Sequence, residues 1–323
     1  MLENEDALGP GSYDVVVAVC TFRRPKGLSS VLHAVDRQSC RNFRLGILVV
    51  DNDPSGSAQA GVEQAQLSAH HDIIYIHAST KGLVHARNVA LNFVRDAQPC
   101  LVFVDDDEVP SDGWLEAFWN THLADSRAIV AGPVRPVFEE ALPTWCPNGR
   151  FWLRREYVDG VLIHDFVPDG NILYPPALLA DGWQYDVNYN TSGGQETDLQ
   201  KRWLSEGRPI RWSSSAVVLE SIPAGRMTLK YARDRVYFGS LTYTWVMAKD
   251  VRSVPSVLIR GLRQCVIGFL RCAFGTLSCS RPMIASGLLS LSKAHGTVAG
   301  LLVKSYDRYG SYQIDPAGGS QSK

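Results

Sequence analysis

The sequence lacks paired cysteines, long uncharged apolar runs and glycine-rich phosphate motifs. Its seven cysteines among 323 residues include no C-x-x-C pair, which argues against a disulfide framework or a zinc site and predicts reduced thiols. No uncharged apolar run reaches the roughly 18 to 20 residues that cross a bilayer, so no membrane span is expected. Neither G-x-G-x-x-G after the first apolar run nor G-x-x-x-x-G-K-[ST] occurs, which disfavours dinucleotide-binding and P-loop sites.

The N-terminus and the charge distribution bear on location and partners. The first 14 residues, MLENEDALGPGSYD, are acidic and contain no apolar core. We therefore expect no signal peptide, and we expect a cytosolic location. The formal net charge is -1, yet residues 226–304 contain twelve Lys and Arg against only Asp234 and Asp250. This leaves the remainder of the chain acidic, and the two parts are expected to meet different partners.

Apolar, β-branched runs alternate with amphipathic stretches of helical spacing in the first half of the chain. The runs lie at 14–19, 45–50, 73–76, 101–104 and 128–134. Such continuous runs are typical of strands buried on both faces of a parallel sheet. The pattern predicts a doubly wound α/β layer, whose ligands collect at the carboxyl ends of the strands. The polar residues that it gathers at that edge are Thr21, Arg23, Asp51, Lys81, Arg87, Asp105, Asp106 and Asp107.

The three consecutive aspartates after the fourth run carry the strongest chemical signal. If the backbone stayed extended, Asp105 and Asp107 would point to one face and Asp106 to the other. Two converging carboxylates suit a hard divalent cation, Mg²⁺ or Mn²⁺, which shares its other positions with substrate phosphates. The alternative is a solvated acidic turn that caps the next helix.

Two later segments are candidates for binding an acceptor and for supplying a base. Residues 143–176 are rich in Trp, Tyr, Pro and Gly, and form either a capping loop or a wall on which sugars stack. The segment TSGGQETDLQKRWLSEG predicts a helix that ends at Gly207 and contains Asp198 and Arg202 as an i,i+4 pair. Glu196 in its first turn is either a helix N-terminal charge or a general base.

Six ordered segments resemble a known enzyme family. VVVAVCTFRRP, VVDND, KGLVHARNVAL, FVDDDEVP, DGNILY and GGQETDLQKRW together resemble the inverting family 2 glycosyltransferases with the GT-A fold, most of all the bacterial enzymes that build exopolysaccharides. The likeness covers about residues 13–220. It implies an α/β fold with a mostly parallel sheet in a catalytic domain at 13–225. A flexible N-terminus at 1–12, a basic helical extension at 226–308 and a flexible tail at 309–323 complete the expected organisation.

The resemblance also implies roles for individual residues. The expected nucleotide-binding set is Thr21, Arg23, Asp51, Lys81, Gly82, Arg87, Asn88, Asp105 and Asp106. Within it, Thr21 and Asp51 would contact the uracil of a UDP-sugar, while Asp105 and Asp107 would contact the ribose and the diphosphate-bound metal. Aligning the shared T-D-L with the family motif G-E-D-T-D-L places the catalytic base at Glu196, with Asp198 as the alternative.

The implied function is the transfer of one sugar from a UDP-sugar to a saccharide, expected to be linked to polyprenyl diphosphate. The segment Gln200-Lys201-Arg202-Trp203 is one residue short of the Q-x-x-R-W of processive synthases, which favours a single addition. One rival is a sugar-nucleotide nucleotidylyltransferase, which requires a glycine-rich loop after the first strand. The other is a saccharide-binding relative that has lost catalysis. No nucleic-acid partner is expected.

The C-terminal part predicts a basic amphipathic helix. From Pro255 onward, three arginines, Arg260, Arg263 and Arg271, fall within an arc of about 80° at 100° per residue. Largely opposite lie Leu258, Leu262, Cys265, Val266 and Phe269. The apolar side either packs on the catalytic domain or docks on an anionic membrane. The charge balance favours the membrane, and a peripheral position on the cytoplasmic face of the inner membrane is expected.

Overall fold

The computed structural model describes residues 9–302, 312–314 and 320–322. The expected flexible termini therefore lie mainly outside the described residues. The α-helices are α1 (Pro25–Asp36), α2 (Gln59–Gln66), α3 (Leu83–Val94), α4 (Trp114–Ala124), α5 (Pro176–Ala180), α6 (Gln195–Ser205), α7 (Leu229–Ala248), α8 (Val254–Leu277) and α9 (Arg281–Leu302). Short 3₁₀ helices occupy Pro10–Ser12, Val187–Tyr189, Ala224–Met227 and Val251–Ser253.

The strands form three sheets within the described part of the chain. Their bounds are β1 (Val15–Thr21), β2 (Leu45–Asp51), β3 (Asp72–His77), β4 (Cys100–Val104), β5 (Glu108–Pro110), β6 (Ile129–Ala131), β7 (Val134–Phe138), β8 (Asn171–Tyr174), β9 (Ile210–Trp212), β10 (Val218–Ile222), β11 (Tyr312–Ile314) and β12 (Ser320–Ser322). The chain divides into two compact units. The first contains residues up to 135, 154–190 and 198–220, and the second contains 136–153, 191–197 and the residues from 221 onward.

The main sheet lies in the first unit and has the order β3-β2-β1-β4-β8-β6-β9. All its neighbours are parallel except β8, which runs antiparallel to both β4 and β6. Strands β1, β2 and β4 are almost wholly buried, because helices cover both faces of such a sheet. Thr21 pairs in register with Asp51, so the carboxyl ends of β1 and β2 lie side by side.

The first four predicted strands are confirmed, and the fifth is wrong in its extent. The run at 128–134 is divided between β6 and the start of β7, because Gly132 and Pro133 interrupt it and proline cannot donate to a ladder. Strand β8 was not anticipated. Its four residues follow a long irregular segment, and a run this short carries no readable period.

The second unit contains the helices α7, α8 and α9, which confirms the predicted helical character of the C-terminal part. Close packing of α8 on α9 depends on glycines. A Cβ on Gly268 would lie 2.7 Å from the Leu291 side chain, and one on Gly287 would lie 2.6 Å from Cys272 Sγ. Among the described residues, no helix combines the length and apolar character that a bilayer crossing requires.

Candidate active site

The three aspartates form a turn at the end of β4. The strand ends at Val104, and the Glu108 amide donates to the Asp105 carbonyl at 3.0 Å before β5 begins. The expectation of an extended backbone through the aspartates is therefore wrong. Exposure nevertheless separates them, since 43% of the Asp105 side chain and 25% of that of Asp107 are accessible, against 9% for Asp106. Asp105 and Asp107 are the two carboxylates that a ligand can reach.

Asp106 organises the turn from within. Its carboxylate accepts from the Thr21 hydroxyl at 2.8 Å and from Arg24 Nη1 at 2.8 Å. Burial raises the pKa of Asp106 to about 6, while the positive charge of Arg24 opposes the shift. Both Thr21 and Asp106 were predicted to bind the nucleotide, and that role stays a prediction. In the structure they fasten the end of β1 to the turn.

The two arginines after β1 take different partners. Arg24 Nη1 also donates to Asp107 Oδ2 at 3.0 Å, so one guanidinium joins Asp106 and Asp107. Arg23 instead donates to Asp53 Oδ2 at 3.1 Å, and its φ of +56° lies in the left-handed region. The sequence interpretation selected Arg23 and missed Arg24. The signal was present as the Phe-Arg-Arg-Pro segment, but spacing alone does not show which arginine reaches the aspartates.

Arg87 holds the first aspartate of the turn. Its guanidinium donates to Asp105 Oδ1 at 3.1 Å and to Asp169 Oδ2 at 2.9 Å, and only 4% of its side chain is exposed. Burial disfavours its charge, but the neighbouring Asp169 and Asp105 hold the pKa of Arg87 well above its usual value. Arg87 therefore remains a fixed cation behind Asp105, and its predicted contact with the nucleotide stays a prediction.

Asp169 anchors this arginine and was missed in the sequence. Besides Arg87, its carboxylate accepts from the Tyr174 hydroxyl at 3.0 Å, the Tyr185 hydroxyl at 2.8 Å and Gln200 Nε2 at 2.9 Å. Burial raises the pKa of Asp169, and the Arg87 charge counteracts this. Asp169 opens the segment DGNILY, one of those that carried the family resemblance. That segment was the available signal.

Replacing Asp169 by Asn is expected to lower the free energy of unfolding by about 3 kcal/mol, because the buried Arg87 loses its buried counter-ion and keeps the partly exposed Asp105. Guanidinium chloride unfolding of the full chain measures this. Asp181→Asn is the matched control, since Asp181 is 46% exposed in its pair with Arg208 and its loss should cost less than about 1 kcal/mol. Equal losses in the two variants would contradict the anchoring role.

A second buried acid lies next to Asp105. Arg154 joins Glu108 Oε1 at 3.3 Å to Glu220 Oε2 at 2.6 Å. Burial, reinforced by the Asp105 charge, raises the pKa of Glu108 well above its usual value. A Cβ on Gly170 would lie 2.6 Å from Glu108 Oε2 and 2.7 Å from Asp105 Oδ2. Glycine at this position therefore allows the two carboxyl groups to share one small space.

Asp51 lies beneath the loop that follows β2. It is fully buried, and its oxygens accept from the amides of Asp53 and Ala58 at 3.0 and 2.7 Å and from the Tyr75 hydroxyl at 3.0 Å. Asn88 is similarly engaged, since its side chain exchanges hydrogen bonds with the backbone of Tyr185. The predicted uracil contact of Asp51 and nucleotide contact of Asn88 are untested. Their observed contacts shape the loop and support α3.

The Lys81-Gly82 segment is tied to neighbouring loops of the first unit. The Gly82 amide donates to Asn52 Oδ1 at 2.6 Å, and Asn190 Nδ2 donates to the Lys81 carbonyl at 3.1 Å. Gly82 has a φ of +134°, a conformation that glycine adopts without strain. The exposed Lys81 places Nζ 5.5 Å from the centre of the Phe22 ring, which leaves an ammonium group accessible to an anion.

The predicted helix around Glu196 is confirmed as α6, with Glu196 in its first turn and half-buried. The pair of Asp198 and Arg202 is also confirmed, at 2.9 Å. Asp198 is 7% exposed and additionally accepts from the Tyr189 hydroxyl at 3.2 Å. These contacts commit Asp198 to the packing of α6, which favours Glu196 over Asp198 as the base.

Three aromatic residues of the 143–176 segment, Trp145, Phe151 and Trp152, pack on each other. In the second unit, the Trp152 ring centre lies 5.4 Å from Trp145, 5.2 Å from Phe151 and 5.4 Å from Phe138. Trp152 is 8% exposed within a small apolar cluster that includes Met227. These rings pack in a local apolar core, which favours the capping-loop interpretation over the sugar-binding wall.

The exposed carboxylates of Asp105 and Asp107 suit a cation that also binds substrate phosphates better than a cation held by protein ligands alone. In the described part of the chain no group of three or more His, Cys, Asp or Glu is placed to hold a metal. Asp105 and Asp107 supply carboxylate oxygens, and each is held by a separate arginine. A hard cation such as Mg²⁺ or Mn²⁺ commonly takes one or two carboxylates and completes its shell with phosphate oxygens and water. The residues present fit that arrangement.

Residues 16–175 match the family model described as glycosyl transferase family 2. The chain carries a family 2 glycosyltransferase domain. In curated sequences, the succinoglycan biosynthesis protein ExoM of Rhizobium meliloti (strain 1021) is 27% identical over 310 residues, which cover 93% of this chain and 97% of ExoM. The predicted resemblance is confirmed, and the chain is a glycosyltransferase.

Solved structures extend the likeness of the family 2 domain to the fold. The mannosyltransferase PcManGT from Pyrobaculum calidifontis, in complex with GDP-Man and Mn²⁺, has a TM-score of 0.54 at 14% identity and matches 93% of this chain and 79% of its own. GalNAc-T7 with UDP, GalNAc and Mn²⁺ has a TM-score of 0.52 at 13% identity and matches 78% and 58% of the two chains. The predicted GT-A fold, a mostly parallel α/β sheet with a helical C-terminal region, is confirmed.

Proposed function

We propose that this glycosyltransferase moves one sugar from a UDP-sugar to a saccharide acceptor with inversion at the anomeric carbon. The observation that carries the proposal is the turn at the end of β4, where Asp105 and Asp107 are exposed and are each held by an arginine. A pair of positioned carboxylates beside arginine side chains suits a nucleoside diphosphate with its metal. Exposed Lys81 adds a cation for the same ligand.

Mg²⁺ or Mn²⁺ is the proposed cofactor, with Asp107 and Asp105 as its protein ligands. PcManGT and GalNAc-T7 were each solved with Mn²⁺, which supports a divalent metal in this fold. When bound, the metal would neutralise charge that develops on the departing diphosphate. Arg87 keeps the Asp105 carboxylate in place for this task, and Lys81 adds positive charge near the leaving group.

Glu196 is the proposed general base. It would take the proton of the attacking acceptor hydroxyl on the side of the anomeric carbon opposite to the UDP leaving group. The half-buried position in the first turn of α6 suits this role, because part of the side chain stays accessible to an acceptor. One displacement with a base but no protein nucleophile inverts the configuration of the transferred sugar.

The proposed pathway is bacterial exopolysaccharide or surface-polysaccharide synthesis, with an acceptor linked to polyprenyl diphosphate. The similarity to a succinoglycan biosynthesis protein along nearly the full length of both chains supports it. PcManGT was solved with GDP-Man and GalNAc-T7 with UDP, so the donor panel below includes sugars of both nucleotides. We assign the catalytic domain to residues 13–225 and a membrane-associating extension to 226–308, positioned on the cytoplasmic face of the inner membrane.

A donor panel tests the proposed reaction. The full chain is incubated with UDP-sugars and GDP-sugars, with and without EDTA, and release of nucleoside diphosphate is measured together with the anomeric configuration of the product by NMR. UDP release that stops in EDTA, with an inverted product, is the expected result. Release of pyrophosphate from a sugar phosphate and UTP would indicate a nucleotidylyltransferase. Binding of a saccharide without any turnover would indicate an inactive relative.

A further inference from the structure

Helix α8 presents a continuous apolar face to its surroundings. Eight large apolar side chains on it are 50 to 82% exposed, namely Leu258, Ile259, Leu262, Val266, Phe269, Leu270, Phe274 and Leu277. At 100° per residue these positions occupy an arc of about 160°. An exposed apolar surface of this extent marks an interaction site more often than a solvated surface.

The small residues of α8 explain why its bulky residues lie outside. Gly261, Gly268 and Gly275 are its buried positions together with Val257. A Cβ on Gly275 would lie 2.8 Å from the backbone nitrogen of Ile284, so this side of α8 lies too close to α9 for larger side chains. Leu258, Leu262, Val266 and Phe269 therefore lie outside the glycine side of α8 that packs on α9. Cys265, which the sequence placed with them, is only partly exposed.

The charge of the two-helix segment indicates the chemistry of the partner. Residues 251–302 contain six Arg and Lys and no Asp or Glu. Arg260, Arg263 and Arg271 lie along one edge of the apolar arc, and all three are exposed. A second copy of the chain docked through the same face would bring these like charges together without acids on the two helices to compensate them. An anionic lipid surface offers both hydrocarbon and negative charge.

We propose that α8 lies in the plane of an anionic membrane surface, with its apolar face among the acyl chains and its arginines at the headgroups. A helix with a wide apolar arc and a basic edge binds in this orientation, and its affinity grows with buried apolar area and anionic lipid. Arginine side chains at the edge extend toward phosphate groups while their methylenes stay in the apolar layer. The membrane proposal rests on the proposed function. It names the surface that would bring the enzyme to a lipid-linked acceptor.

The test is flotation of the full chain with vesicles of phosphatidylglycerol and phosphatidylcholine in equal parts, compared with vesicles of phosphatidylcholine alone. The double variant Leu262→Gln/Phe269→Gln is expected to lose at least about tenfold in vesicle affinity, since two large side chains no longer gain from burial. Arg263→Gln is expected to lose about fivefold on anionic vesicles only. Leu67→Gln/Leu123→Gln is the matched control, because these leucines are 80 and 62% exposed in the first unit and off α8.

Equal flotation of the α8 variant and the control would overturn the proposal, and so would wild-type protein that remains unbound at low ionic strength. Sedimentation of the protein without lipid tests the alternative that a second copy of the chain binds this face. If the wild type self-associates, the α8 variant is monomeric and neither binds vesicles, the face joins two copies and the membrane proposal is wrong. Donor turnover measured on a water-soluble acceptor keeps the two proposals separate, because vesicle binding without any turnover would count against the proposed reaction alone.

Discussion

Glu196→Gln is expected to lower the rate of sugar transfer by roughly 10² to 10⁴ while UDP and metal still bind. Glutamine keeps the size and hydrogen-bonding capacity of the side chain but cannot take a proton from the acceptor. Glu196 lies in the first turn of α6, two residues before Asp198. Initial transfer rates, UDP affinity and melting temperature measured side by side test this expectation.

Asp198→Asn is the internal control for that experiment. Asp198 is bonded to Arg202 and to the Tyr189 hydroxyl, so the change should mainly reduce stability and leave transfer by the folded protein nearly intact. If Glu196 only completed the helix N-terminus, the Gln variant would lose at most about 1 kcal/mol of stability and keep its turnover. A folded Asp198 variant that binds UDP but is inactive, next to an active Glu196 variant, would move the base to Asp198.

Asp107→Asn is expected to raise the metal concentration needed for half-maximal activity by at least about tenfold and to lower turnover. Even an outer-shell partner of a metal site typically contributes 10- to 100-fold in affinity, and a lost ligand charge should cost at least as much. The fold should persist, because Asp107 is 25% exposed and its Arg24 partner retains Asp106. Titration of Mn²⁺ against initial rate and against UDP binding measures both effects.

The matched variant for the metal experiment is Asp112→Asn. Asp112 is an exposed residue five positions after Asp107. Its replacement by Asn removes the same charge from the neighbourhood and leaves the turn unchanged. Its metal requirement should equal that of the wild type. Full activity of the Asp107 variant in the presence of chelator would rule out Asp107 as a metal ligand. An equal rise in the metal requirement of both variants would show that the effect comes from the lost charge alone and not from ligation.

The site residues that sequence interpretation missed are those whose partners lie far away along the chain. Arg87 meets Asp169 across 82 positions, and Arg24 meets Asp106 across the same separation. A local pattern shows that arginines and aspartates occur near strand ends, but the choice among neighbouring arginines depends on loop geometry. The φ of +56° at Arg23 turns the chain there and accompanies the pairing of Arg23 with Asp53 instead of with the three aspartates.

The sequence by itself determined the features that repeat over short distances. Continuous apolar runs specify β1, β2 and β4 because both faces of these strands are buried, and spacing along one helix specifies the Asp198–Arg202 pair. Only the tertiary structure decided that Asp106 points inward, that β8 enters the sheet antiparallel between β4 and β6, and that the glycine side of α8 packs while its leucines remain outside. These outcomes depend on which surfaces approach most closely, and periodicity within a single element carries no information about its neighbour.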